Sequence, residues 1–262
     1  MRLRLRNTGL NRVRFSLVLL LGFLSAVLRA QAADVAAILQ RTAEKYSNLT
    51  STSFRATTIL IDQNQRDAMT MEVAFRRPDK ARLLVRGPDV GQAFGLPANE
   101  LLIVVDGLYT WMYVPGWKQY TREAGGFIHT DPNDSGSRVK LGAAAGFVSH
   151  MVESIEALLR QQAGAAGKMK LAGDETLNIG PEAVECYVIE SKSRKPPSTR
   201  LWIDKARYVL VQEETSSKGS ALLRTSFSNV AVNQPLPDSL FVFTPADDAV
   251  LMQKMEPPNP QN

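Results

Sequence analysis

The sequence predicts a mainly β domain of the α+β class, built on an antiparallel sheet or barrel with covering helices. About eleven short segments alternate apolar and polar residues, which is typical of half-buried strands. Most of these segments follow one another across short turns, and this favours antiparallel pairing. Two further segments, 34–49 and 143–162, place apolar residues at helical spacing and so predict amphipathic helices.

Residues 1–32 have the pattern of a secretory signal peptide. Five arginines precede an apolar run from Phe15 to Leu28, and Ala30 and Ala32 fit an A-x-A cleavage site. The run is shorter than the roughly 20 apolar residues of a membrane-spanning helix. We therefore expect cleavage near Ala32 and localisation in the periplasm, with an uncleaved membrane anchor as the alternative.

The charge balance argues against a nucleic-acid partner. The whole sequence has 31 basic and 26 acidic residues, a formal net charge of +5. Residues 1–32 contain six of the arginines and no acidic residue, so the remainder has 25 basic and 26 acidic residues and a net charge of −1. Binding to a phosphate backbone needs a basic surplus, and none remains after cleavage.

The order of elements begins with the helix at 34–49, where Asp34 can cap the first turn. Six strand segments follow: TSFRATTILID, AMTMEVAFRR, ARLLVRG, LLIVVDG, LYTWMYVPG and WKQYTRE. The helix at 143–162 separates them from a second group: GKMKLAGDET, EAVECYVIESK, TRLWIDKA, RYVLVQEETSS, ALLRTSFSNVAVN and SLFVFTP. We expect one domain over residues 33–250 and a disordered, Pro-rich tail over residues 251–262.

The stretch FRRPDKARLLV predicts a β-hairpin whose register follows from its apolar pattern. A two-residue loop at Pro78–Asp79 would pair Phe75 with Arg82, which sets an apolar side chain opposite a charged one. A three-residue loop over 78–80 pairs Phe75 with Leu83 instead, and also pairs Arg77 with Ala81 and Val73 with Val85. This register places Arg77 at the rim of an apolar face, where it either bonds a covering helix or extends to solvent.

Two further patterns have structural interpretations. Asp106-Gly107 between apolar runs is a strong hairpin signal, and Tyr109, Trp111 and Tyr113 alternate along the strand that follows. We expect this aromatic strip to lie under a neighbouring element, and contact with a partner or a membrane interface is the alternative. Cys186 is the single cysteine, so no internal disulfide can form, and its alternation with valines predicts a buried apolar position.

Catalysis is not expected. His129 and His150 are the only histidines, and with Cys186 they have no usual zinc-site spacing. The sequence contains no G-x-S-x-G elbow, P-loop or dinucleotide-binding fingerprint. We therefore expect no catalytic residue, no metal and no cofactor.

Four segments, in order, resemble the periplasmic lipoprotein carriers of the LolA family: FRRPDKARLLV, IVVDGLYTWMYVPGWKQYTR, CYVIESKSRKPPSTRLWIDKARYVLVQEE and SLFVFTPADDAVL. The similarity extends over residues 34–250. It implies an incomplete, strongly curved antiparallel β-barrel whose concave face is plugged by helices and holds lipid acyl chains. The family's arginine before the hairpin proline matches Arg77, and the resemblance implies that Arg77 clasps the lid helices.

The function expected from this resemblance is a monomeric carrier of lipid or lipoprotein acyl chains. An inner-membrane release complex and an outer-membrane acceptor are the protein partners that such a carrier implies. The alternatives are a lipid-sensing module that acts on a membrane-bound partner, and a structural protein with a filled interior. The expected cavity lining consists of Met71, Val73, Phe75, Leu83, Val85, Met112, Phe147, Met151 and Ile155.

Overall fold

The structure is a computed structural model that describes residues 35–61, 66–88, 90, 96–124, 155–180, 182–192, 198–216 and 222–257. For residues 66–68 the structure describes the backbone but not the side chains. The expected signal peptide, the expected lining residues Phe147 and Met151, and both histidines lie outside the described residues. Within the described residues, no helix is long and apolar enough to cross a membrane.

Twelve strands form a curved, unclosed sheet, which confirms the predicted fold class. The strands are β1 (Ser51–Ile61), β2 (Arg66–Arg76), β3 (Lys80–Arg86), β4 (Glu100–Asp106), β5 (Tyr109–Val114), β6 (Gln119–Ala124), β7 (Met169–Ile179), β8 (Glu182–Ser191), β9 (Ser198–Asp204), β10 (Leu210–Ser216), β11 (Leu222–Val232) and β12 (Val250–Leu251). Their spatial order is β12-β6-β5-β4-β3-β2-β1-β11-β10-β9-β8-β7. All neighbours pair antiparallel except β12 and β6, which are parallel.

The concave face of the sheet and the helices share one hydrophobic core. Alternate residues of the strands point to this face, as the period of two requires. The helical residues 35–47 (α1) and 155–164 (α2) cover it with their apolar sides. Leu39 of α1, Leu159 of α2 and Leu83 of β3 are all completely buried in this core. The helices therefore cover the sheet as the sequence predicts.

The C-terminal segment covers part of the opposite, convex face. A 3-10 helix, Asp238–Phe241, contacts β3 and β4, and its Phe241 is 1% exposed. Phe243 follows, with its ring centroid 5.2 Å from that of Trp111, 5.8 Å from Tyr113 and 5.4 Å from Tyr120. The prediction that the aromatic strip lies under a neighbouring element is confirmed, and the segment SLFVFTP supplies that element.

The same segment corrects two sequence-based expectations. SLFVFTP was expected to be a strand, but it forms the 3-10 helix and then irregular extended chain, while Val250–Leu251 supplies the last strand. Leu251 lies in β12, and Met255, beyond it, is 9% exposed and belongs to the main core. The packed part of the chain thus extends past residue 250, where the domain was expected to end.

The β2–β3 hairpin differs from its predicted register by two residues. Phe75 pairs with Ala81, Val73 with Leu83, and Arg76 with Lys80, so the predicted pairing of Arg77 with Ala81 is wrong. A shift of two leaves every side chain on its predicted face, and the apolar pattern is therefore satisfied equally well by both registers. The observed register keeps Lys80 in the strand, whereas the predicted one required it in the left-handed position that lysine disfavours.

Cys186 occupies the buried position that the sequence predicts. It is completely buried in a smaller convex-face cluster with Val184, Val188 and Trp202. Burial raises the pKa of the Cys186 thiol to about 11. The thiol therefore stays protonated at neutral pH and packs as a small apolar side chain.

Candidate functional site

The candidate site is the concave face of strands β1 to β5 together with the helices that cover it. Strand pairing aligns the expected lining residues in rows across the sheet. One row joins Phe75 to Ala81 and Val105, and the next joins Val73 to Leu83 and Ile103. The third row contains Met71, Val85 and Leu101. The rows show that six of the expected residues share one face: Met71, Val73, Phe75, Leu83, Val85 and Met112.

These side chains lie inside a packed core. Leu83 and Val85 are 0% exposed, and Val73 and Phe75 are 4% and 6% exposed. Met71 and Met112 are partly buried and pack against the same cluster. The described part of the site is therefore in a covered state, in which helix residues pack directly on the sheet face.

Helix α1 covers the face with its residues spaced three and four apart. Val35, Leu39 and Ala43 are completely buried against the sheet, and Tyr46 is 6% exposed. The Tyr46 hydroxyl accepts a hydrogen bond of 3.2 Å from the backbone N–H of Leu210 in β10. Burial raises the pKa of Tyr46, so its hydroxyl remains neutral throughout the physiological range.

Helix α2 contributes a second apolar side to the same cluster. Leu159 is completely buried, while Ile155 and Leu158 pack against the core from partly buried positions. Ile155 is thus joined with the sheet residues that were predicted to line the site. Since Phe147 and Met151 precede the described part of this helix, their placement stays a prediction.

Arg77 lies in the turn between β2 and β3, at one end of the concave face of β1 to β5, which we call the trough. Its backbone N–H donates a hydrogen bond of 2.8 Å to the carbonyl of Thr50, just before β1 begins. The side-chain Nε is buried and has no hydrogen-bond partner among the described residues. The neighbouring Arg76 instead bonds the carbonyl of Leu236 at 3.0 Å and the carboxylate of Asp238, which lie in the C-terminal segment.

A polar strip on the concave face was not predicted from the sequence. Glu213 pairs with Leu201 on one side and with Thr225 on the other, and Thr225 pairs in turn with Thr58. The hydroxyls of Thr58 and Thr225 lie 3.0 Å apart, and the Thr215 hydroxyl lies 3.1 Å from the Glu213 carboxylate. Burial raises the pKa of Glu213. Alternation along LVQEETS would put Glu213 on the opposite face with Val211, and a register irregularity between Leu210 and Gln212 moves Glu213 to the face of Leu201.

Metal chemistry finds no support among the described residues, where no three His, Cys, Asp or Glu side chains are grouped closely enough to hold an ion. Most described residues of the site are apolar. Its polar residues are Tyr46, Arg77 and the buried threonines Thr42, Thr52 and Thr110, and the Glu213 strip lies farther along the same face. Such a surface makes few directional demands on a ligand and favours hydrocarbon over polar molecules.

Comparison with protein-family models finds no match, and comparison with curated proteins finds none either. Solved structures do match in fold. The lipoprotein LppX of Mycobacterium tuberculosis is 12% identical, with 78% of this chain and 98% of that chain covered and a TM-score of 0.45. MucB in the Pseudomonas aeruginosa MucA/MucB complex is 15% identical, with 80% and 61% covered and a TM-score of 0.40.

A LolA superfamily protein of Nitrosomonas europaea is also among the structural neighbours. It is 12% identical, with 79% of this chain and 96% of that chain covered and a TM-score of 0.28. The neighbours thus include the group that the sequence motifs resemble. Identities of 12–15% concern the fold alone and carry no ligand or partner over to this chain.

Proposed function

We propose that this protein is a periplasmic binding and carrier protein that sequesters an acyl chain of a lipid or lipoprotein and delivers it towards the outer membrane. The observation that supports the proposal most strongly is the apolar concave face of the sheet. Leu83, Leu101 and Ile103 at its centre are completely buried, and α1 and α2 cover them with apolar side chains. The hydrocarbon chain would lie between this face and the helices.

The energetics favour exchange between helix and ligand. When α1 or α2 moves aside, a hydrocarbon chain can cover the apolar sheet face that the helix leaves. Displacement of α1 also breaks the Tyr46–Leu210 hydrogen bond, which a hydrocarbon chain cannot replace. Burial of each methylene contributes about 0.8 kcal/mol, so roughly ten methylenes contribute about 8 kcal/mol. This gain offsets the contacts that the displaced helix gives up.

Two polar groups are suited to hold the covered state. The Tyr46–Leu210 hydrogen bond joins α1 to β10 inside an otherwise apolar interface. Arg77 is the proposed clasp for the lid helices, and its buried Nε lacks a partner among the described residues. A guanidinium carries five donors in a fixed fork, so Arg77 can bond helix carbonyls through its other nitrogens.

The proposal includes the route of the protein through the cell. Residues 1–32 would direct export and be cleaved near Ala32, and the chain from residue 33 to at least Met255 would form the binding domain. The partners would be an inner-membrane release complex and an outer-membrane acceptor. The protein would act as a monomer, because its apolar face is covered by its own helices rather than by a second copy.

Extraction and mass spectrometry of the exported protein test the proposal. The protein is purified without detergent, extracted with chloroform and methanol, and compared with the same chain expressed without residues 1–32 in the cytoplasm. We expect acyl lipid near equimolar amounts in the exported protein. After removal of lipid, we expect binding of the fluorescent fatty acid cis-parinaric acid. Absence of both lipid and probe binding would overturn the proposal, and a stable membrane-bound partner in pull-down would favour the sensor instead.

A further inference from the structure

A cleft of about 330 Å³ lies beside α1, away from the interior of the trough. One wall is α1, and the other walls are the loop between β9 and β10 and the end of β11. Its described lining residues include Arg41, Lys45, Arg207, Tyr208, Val209 and Val230. Three of these residues are cationic, and no carboxylate is among them.

The charges of Arg41 and Lys45 are not balanced by an acidic partner. The two residues are four apart on α1, so their side chains project from the same side of the helix. Neither forms an ion pair within 4.0 Å with a described acidic residue, and the Lys45 ammonium donates no hydrogen bond to a described residue. The cleft therefore presents two free cations next to each other.

The position of Arg41 is fixed by a stack of aromatic rings. Its guanidinium carbon lies 4.0 Å from the ring centroid of Tyr208, whose ring lies 6.2 Å from that of Tyr187. Tyr208 has a φ of 54°, in the left-handed region that few residues other than glycine adopt. A backbone conformation of this kind persists only where surrounding contacts hold it, and here it places the ring under Arg41.

The side chain of Arg207, which also lines the cleft, is held in place by hydrogen bonds. Its Nε donates to the Asp204 carboxylate at 2.6 Å, and a terminal nitrogen donates to the carbonyl of Val230 at 3.2 Å. The Asp204 carboxylate also accepts from the backbone N–H groups of Ala206 and Arg207, and its side chain is 5% exposed. The Asp204 carboxylate is thus committed to these three hydrogen bonds within its own turn and to no ion pair with Arg41 or Lys45.

We propose that this cleft binds the phosphate group of an anionic ligand through Arg41 and Lys45. Arginine suits phosphate because its fork donates two parallel hydrogen bonds, and lysine adds a compact point charge. Val209, Val230 and Val232 form an apolar wall beside the cations, which suits the carbon portion of a phosphate ester. The site lies outside the apolar trough, so it can exist whether or not the trough binds acyl chains.

Isothermal titration calorimetry of the full exported chain tests this site with three soluble probes. They are inorganic phosphate, dihexanoyl phosphatidic acid and dihexanoyl phosphatidylcholine. We expect phosphatidic acid to bind at least tenfold more tightly than phosphatidylcholine, whose choline cation would face Arg41 and Lys45. Affinity should fall as salt rises, because the attraction is electrostatic and partly exposed.

Matched variants locate the binding. Arg41→Gln and Lys45→Gln should each weaken phosphatidic acid binding about tenfold, while Lys254→Gln, which removes an exposed cation elsewhere, should leave it unchanged. Equal binding of inorganic phosphate and phosphatidic acid would identify a free phosphate as the ligand type, and binding of phosphatidic acid alone would identify a lipid headgroup. If neither binds, or if the Arg41 and Lys45 variants bind as tightly as the wild type, the proposed site is wrong. Parinaric acid binding measured on the same variants separates this result from the acyl-chain proposal.

Discussion

The hydroxyl of Tyr46 and the backbone N–H of Leu210 are joined by a buried hydrogen bond of 3.2 Å. It connects the last full turn of α1 to the start of β10, across an interface that is otherwise made of apolar side chains. Apolar contacts are non-directional, and a helix held by them alone can shift over the sheet. The hydrogen bond therefore defines where α1 rests when the trough is covered.

Removal of this hydroxyl should loosen α1. In Tyr46→Phe the N–H of Leu210 stays buried without an acceptor, which we expect to lower the free energy of unfolding by about 1–2 kcal/mol. Urea denaturation measures the loss, and faster amide exchange at Leu210 would locate it. Tyr120→Phe is the matched control, because its ring packs on Phe243 and no described group bonds its hydroxyl. Equal stability of both variants would show that the bond does not hold α1.

Replacement of Arg77 tests the proposed clasp. Arg77→Leu removes the charge that would hold the empty, covered state, so the loaded state becomes relatively more favourable. We expect release of bound parinaric acid to acceptor liposomes to become roughly tenfold slower, a change of about 1.4 kcal/mol. Arg86→Leu serves as control, because Arg86 is exposed and pairs with Glu100 at 3.0 Å on the other face. Release at the wild-type rate from Arg77→Leu would refute the clasp.

The Asp106 carboxylate should make stability depend on pH. Burial alone would raise its pKa, but hydrogen bonds from the Trp111 indole at 2.8 Å and from the N–H groups of Tyr109 and Leu108 outweigh burial and hold the pKa below its usual range. A carboxyl with a lowered folded-state pKa stabilises above its unfolded value near pH 4, and the contribution is lost as the pH falls through the folded value.

Asp106→Asn measures this contribution, because the new amide turns a donor towards the Trp111 indole N–H. We expect the free energy of unfolding to fall by about 1 kcal/mol at pH 7, and this difference from the wild type to shrink below about pH 4. Urea denaturation at several pH values measures it. Asp247→Asn, an exposed change in the C-terminal segment, should stay within about 0.5 kcal/mol of the wild type throughout. If the difference in unfolding free energy between Asp106→Asn and the wild type does not vary with pH, the lowered pKa of Asp106 does not stabilise the fold.

Gly107 should tolerate no side chain. Its φ is +99°, and a Cβ there would lie 2.8 Å from Oδ2 of Asp79 in the neighbouring turn. We expect Gly107→Ala to destabilise by about 1–3 kcal/mol through backbone strain. Gly116→Ala is the control, since a Cβ at Gly116 meets no atom within 4 Å and needs no left-handed backbone. Thermal denaturation of both variants checks the difference, and equal midpoints would count against the turn geometry.

The sequence predicted the faces of the strands better than their register. Met71, Val73 and Phe75 lie on the expected face because alternation alone decides which side a residue takes. The register of the same hairpin was wrong by two, because such a shift preserves that alternation and the turn decides between the two registers. The strip at Glu213 was missed because a register irregularity between Leu210 and Gln212 changes the face on which Glu213 lies, and the residue pattern does not reveal that irregularity.

The C-terminal segment shows a second limit of sequence reasoning. Phe241 and Phe243 alternate as strand residues do, yet they pack on the convex face from a 3-10 helix and an extended chain. Phe241 is buried where its 3-10 helix contacts β3 and β4, and Phe243 packs on Trp111 and Tyr113; the local pattern does not distinguish these tertiary contacts from strand pairing. The cationic cleft was equally invisible, because Arg41 and Arg207 are far apart in the sequence.

Methyl NMR with a spin-labelled fatty acid tests the central claim most directly. The delipidated protein, with labelled leucine methyl groups, is titrated with 16-doxyl-stearic acid. If a hydrocarbon chain lies between the sheet and the helices, the signals of Leu39, Leu83 and Leu159 should broaden, while that of Leu108, which is 74% exposed, should stay sharp. Broadening confined to exposed leucines, with the three core signals unchanged at saturation, would contradict the account.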